Sequence, residues 1–146
     1  MNATEVIQLI EDAWRDAVYP GDSKIFTSES NDDEDITRYF CGTTWRGHEP
    51  SNLRAHSSAF TFFTPEAFHY WLPAFMIAAI TSPWEADVIL HYIPRSVGDG
   101  YAAQRLLLFS QNQKLATAEY MRWRIELRPN GSYDERKALA VLERSA

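Results

Sequence analysis

Apolar residues in this chain recur at spacings of three and four far more often than they alternate, a rhythm that predicts helices. The longest such stretch is residues 64–80, TPEAFHYWLPAFMIAAI. Thr64 can cap a helix with its hydroxyl, and Pro65 suits the first helical position, where no amide is needed. Phe68, Trp71, Leu72, Phe75, Met76, Ala79 and Ile80 then form one face. The other face (Ala67, Tyr70, Ala74, Ile77, Ala78) is also mostly apolar, so burial nearly all round is expected. Pro73 removes the amide that would bond the His69 carbonyl, so the helix must kink or split there. A kink that wraps the helix around its neighbours is the preferred reading, over a freed carbonyl lining a pocket.

The other elements follow from the same signals. Residues 5–18 read as a helix capped by Thr4, with Val6, Ile10, Ala13, Trp14 and Ala17 as its apolar stripe, and residues 20–22 as the turn that ends it. Ser30 or Asn31 can cap a second helix whose first turn holds Asp32, Asp33, Glu34 and Asp35, with Ile36, Tyr39 and Phe40 inside and Gly42 as terminator. Cys41 falls on its apolar side and reads as a small buried thiol. Residues 43–58 are irregular apart from a short helix after Pro50 that carries Leu53. Residues 59–63 read as an extended lead-in to the central helix. Ser82 and Pro83 repeat the cap-then-proline start, predicting a helix to about residue 92 that Pro94 stops. Ser110 with Gln113 forms a capping box for a helix to about residue 127, its stripe being Leu115, Ala118, Met121 and Ile125. Ser132 with Glu135 forms another, for a last helix through Leu139 and Leu142. The sum is an all-α single domain over residues 1–146. Six or seven helices surround a central Pro-kinked buried helix at about 65–80.

Composition sharpens this picture in three ways. Twenty aromatic residues among 146 supply ample core material. A single cysteine excludes an internal disulfide and, with no basic-then-apolar leader at the start, predicts a cytoplasmic protein. The uncharged run from 67 to 84 is interrupted by polar residues and prolines, which predicts a buried helix and no membrane segment. The net charge of −6 is uneven: 11 acids and 5 bases in residues 1–63, against 5 acids and 8 bases in residues 101–146. An acidic front half argues against direct nucleic-acid binding and favours a basic protein partner.

Chemistry is mostly excluded. Glu66 and His69 have the Glu-x-x-His spacing of a di-iron helix, but no second copy exists. His48-Glu49 opens like a zinc-protease motif, yet Asn52 stands where the second histidine belongs. Cys41 and His48 lack an orienting third group. Phosphate loops, nucleophile elbows and calcium loops are missing. No catalytic, metal or cofactor residue is assigned. Arg122 has Glu119 and Glu126 within helical pairing distance, and Arg122, Arg124 and Arg128 read as a solvated, salt-bridged face.

The Thr-Pro-Glu-Ala start with Tyr70-Trp71-Leu72-Pro73-Ala74-Phe75, the Phe40-x-Gly42-x-x-Trp45 tract and the Phe109-Ser110-x-x-Gln113 helix start resemble a family of small, uncharacterised bacterial proteins. The resemblance spans roughly residues 5–127. It implies a soluble stand-alone domain and brings no catalytic residues.

Three functional expectations follow. The first is a non-catalytic binding protein of the immunity type that blocks a basic toxin or nuclease. Asp32, Asp33, Glu34 and Asp35 steer association, and Trp45 and His48 are candidate contacts. The second is a small-molecule enzyme or sensor whose pocket uses Glu66, His69 and Tyr70. The third is a homodimeric scaffold whose surplus aromatics cover an interface.

Overall fold

Local caps set most of the helix starts. In a computed structural model, which describes residues 1–27 and 34–145 and only the backbone of Glu34 and Asp35, there are nine α-helices among the described residues. They are α1 (Ala3–Ala13), α2 (Glu34–Phe40), α3 (Pro50–Ala55), α4 (Ala59–Phe62), α5 (Pro65–Thr81), α6 (Ile89–Gly98), α7 (Ala102–Leu106), α8 (Gln111–Leu127) and α9 (Tyr133–Arg144). The all-α class holds; the excess over six or seven comes from short helices such as α4 and α7. No helix among the described residues is long and apolar enough to cross a membrane.

Two starts fall where the sequence marks them. The Thr64 hydroxyl accepts the Ala67 amide at 3.0 Å, and Ser110 and Gln113 close a reciprocal capping box at the head of α8. Others move. Asn2, not Thr4, caps α1, in a box with Glu5, and α1 ends before Trp14, its C-cap. Residues 59–62 are a helical turn rather than extended; only Phe63 bridges to Phe26, in antiparallel register. Ser82-Pro83 does not open a helix: α6 begins at Ile89 and carries Pro94 within it. Ser132 makes no side-chain cap, and Glu135 turns into the protein instead. Cys41, expected buried, lies beyond the end of α2 and is exposed.

α5 is the centre of one end of the core. It packs against α1, α3, α6 and α7 and buries 12 of its 17 residues. Pro73 does not split it. The carbonyl that Pro73 frees, on His69, accepts the Trp14 indole N–H at 2.9 Å. An apolar ring cluster also packs on α5: Phe40 lies 5.0–6.2 Å from Phe63, Trp71 and Phe75 by ring centroid, and Phe63 lies 5.6 Å from Trp71 and 6.4 Å from Phe75. Of the 20 aromatic residues, only Trp84, Tyr101 and Tyr133 are exposed; the others are buried or half-buried. At the other end, α6, α8 and α9 pack most closely. There Gly98 approaches the α9 backbone so nearly that a Cβ would meet the Ala138 amide nitrogen at 3.2 Å.

Candidate functional site

Two places gather polar chemistry, and they differ in how well that chemistry is satisfied. The first is the irregular loop at residues 43–49, held from below by core side chains. Trp45 is 2% exposed, and its indole donates to the Trp14 carbonyl at 3.1 Å. The Trp71 indole donates to the Thr43 hydroxyl at 3.1 Å, and that hydroxyl donates to the Phe40 carbonyl at 2.8 Å. His48 donates from Nε2 to the Thr44 carbonyl at 2.6 Å, which leaves Nδ1 to accept the Tyr39 hydroxyl at 2.7 Å. Burial pushes the His48 imidazole below the ordinary histidine value, so it is neutral. Gly42 and Gly47 supply φ values of +75° and +78°, where a side chain would be strained. Trp45 and His48 therefore brace the loop from within. Arg46, lying over the Trp45 ring at 4.1 Å, and Glu49 are its exposed parts. Between loop, α1 and α5 lies a cleft of about 290 Å³, lined by Glu11, Arg46, His48 and Ile77 among others.

The acidic run leads into α2. Asp32 and Asp33 lie outside the described residues, as do the side chains of Glu34 and Asp35. Further along, the Tyr39 ring stacks on His56 at 4.2 Å, and Thr37 Oγ1 is buried without a partner. Cys41 is no nucleophile paired to His48, whose two nitrogens are already engaged. Its thiol is held above the usual value by a hydrogen bond with Asp22, and a raised thiol is less reactive. Asp22 also accepts the Tyr19 hydroxyl.

Glu66, His69 and Tyr70 do not share one cavity. Tyr70 is buried edge-on against Tyr19 and Trp71. His69 faces α1 and α8, where Nε2 donates to Gln113 Oε1 at 2.7 Å. Gln113 in turn donates to the Ala13 carbonyl at 3.2 Å. His69 lines a surface cavity with Asp12, Asp16, Phe109 and Gln113, to which neither Glu66 nor Tyr70 contributes. Desolvation holds its imidazole below the ordinary value as well. This histidine ties three helices together. No group of three or more His, Cys, Asp or Glu able to hold a metal ion occurs among the described residues.

The second place was not legible as a site. On α8, Arg122 does sit on a salt-bridged face, with Glu119 at 2.5 Å and, from α9, Glu143 at 3.1 Å in place of Glu126. Arg124 does not join it. It is 7% exposed and makes no side-chain hydrogen bond or ion pair with any described residue. Glu135 is 8% exposed, with Oε2 buried and unpartnered, and so is the hydroxyl of Tyr120 one turn before Arg124. Burial pushes Glu135 above the usual carboxylate range against the opposing pull of Arg124. Burial also raises Tyr120.

Comparison with protein-family models, curated proteins and solved structures finds no match to this chain. The functional reading rests on the residues themselves.

Proposed function

We propose that the protein is a non-catalytic binding domain that receives a basic protein partner on the loop at residues 43–49 and the acidic segment preceding it, as an immunity-type inhibitor of a toxin or nuclease does. The observation that carries this reading is the bracing of that loop. Two indole N–H groups and an imidazole hold an irregular backbone in one shape. A surface fixed before encounter loses little conformational entropy on binding. Exposed Arg46 and Glu49 on a stiff scaffold, with Glu11 across a shallow cleft, are suited to contact a flat protein face.

Charge supports the same reading. Asp32, Asp33, Glu34 and Asp35 lead in sequence into α2, whose Tyr39 holds His48 of the braced loop. Acidic clusters accelerate encounter with a basic partner and do so less as salt rises. The test is affinity capture from native cells, followed by association kinetics with the captured protein. The expected partner is basic, and its association rate falls steeply with ionic strength. Converting the four acids to Asn and Gln slows association and flattens the salt dependence. Unchanged kinetics in that variant removes the acidic segment from the reading.

A further inference from the structure

A cavity of about 410 Å³ lies where α6, α8 and the start of α9 meet. Its charged lining sorts into paired and unpaired groups. Arg95 pairs with Asp134 at 3.2 Å, and Asp87 with Arg54 at 2.9 Å. Arg124, Arg128 and Glu135 are left outside any ion pair among the described residues; the Glu135 carboxylate accepts its own backbone amide, and its Oε2 is buried with no donor. Arg124 and Glu135 are both more than nine-tenths buried.

That arrangement is costly for a fold in isolation. The Arg124 side chain is drawn into a largely buried position with no ion pair to hold it, and the Glu135 Oε2, buried without a donor, carries a desolvation penalty. The two groups do not relieve each other by contact. Arg124, in the last turn of α8, and Arg128, the residue that caps its C-terminus, both line this cavity, and two guanidinium forks beside one space are suited to share one oxyanion. Glu135, on the facing helix, offers an acceptor oxygen to a positively charged or N–H-bearing group. The cavity is of a size that suits a small molecule.

We propose that this cavity binds a small zwitterion of the amino-acid class, its carboxylate or other oxyanion held by Arg124 and Arg128 and its ammonium group by Glu135. The site is separate from the loop at residues 43–49, so neither reading depends on the other. Formally the three unpaired groups sum to +1, which favours a ligand with one more negative than positive charge. An amino dicarboxylate has that balance.

The test is titration of the intact protein with L-aspartate, succinate and inorganic phosphate, following the side-chain N–H resonances of Arg124 and Arg128 and the heat of binding. Saturable shifts at both arginines with all three probes are expected, with L-aspartate at least tenfold tighter than succinate. Glu135→Gln abolishes that preference while keeping succinate binding. Arg124→Met abolishes binding of all three without lowering the unfolding midpoint, a separation that a merely structural arginine would not give. Equal affinity for aspartate and succinate overturns the role of Glu135. No saturable shift with any probe overturns the site, as does an Arg124→Met protein that unfolds.

Discussion

Helices α5 and α8 are each 17 residues long, and each begins at a hydroxyl cap. They bury opposite chemistry. α5 buries 12 residues, nearly all apolar, and its one backbone fault, the carbonyl freed by Pro73, is taken up by the Trp14 indole. α8 buries seven, among them Gln113, Thr117 and Arg124. Its first half is satisfied: Gln113 serves its own cap, His69 and α1, while the Thr117 hydroxyl bonds back to the Gln113 carbonyl at 2.8 Å. Its second half is not: the Tyr120 hydroxyl and, opposite, Glu135 Oε2 are buried without a partner, and Arg124 makes no side-chain hydrogen bond or ion pair with a described residue. Polar groups that hold a fold together are bonded within it, and groups kept for a ligand are not. The difference separates architecture from function within one core.

The largest expected effect tests the architectural side. Trp71→Ala removes a fully buried indole from the ring cluster and should cost about 3–5 kcal/mol in urea unfolding. A loss under about 1 kcal/mol would mean that α5 is not the packing centre. Gly98→Ala probes the tight α6–α9 crossing. The Ala138 backbone cannot retreat as a side chain would, so about 1–3 kcal/mol should be lost. Trp14→Phe keeps the ring but deletes the donor to the His69 carbonyl, leaving a buried acceptor unpaired. A cost of about 1–3 kcal/mol is expected, and Pro73→Ala in the same background, by restoring an amide to that carbonyl, should recover part of it.

The smallest effect is pH dependence. His48 and His69 both have values lowered by burial, so the unfolded chain takes up protons more readily than the folded one. Their contribution is complete above the unfolded histidine value of about 6.5 and is lost as pH falls from there through the lowered folded values. The urea midpoint should therefore drop between pH 7.5 and 5.5. His69→Gln should weaken that drop; a flat profile in the wild type would show that neither imidazole is confined as described.

What the sequence made legible was what is decided within a few residues. The starts of α5 and α8 were readable because Thr64 and Ser110 bond amides three positions on. The same signals misled at Ser82, where the chain turns for several residues before α6, and at Ser132, where Glu135 points into the core. Ser82 is taken up as the C-cap of α5, and at Ser132 packing draws Glu135 inward. Pro73 announced a free carbonyl, but its partner lies 55 positions away on α1 and no local pattern names it. Helical periodicity, carried past the true end of α2, placed Cys41 inside. Trp45 and His48 stood out in the irregular loop as candidate contacts, yet sequence alone could not say that they face inward. Arg124 was missed because arginine counts as a solvent residue in any amphipathic pattern, and its buried face became evident only once α9 was laid across it.

The central claim, that Arg124 and Glu135 serve a ligand and not the fold, has a direct test in the stability of Arg124→Met/Glu135→Leu. Replacing two largely buried charges that no ion pair anchors with apolar groups of similar size should leave the unfolding free energy unchanged or raise it by about 1–4 kcal/mol. A loss of about 3 kcal/mol or more would contradict the claim and return both residues to the architecture.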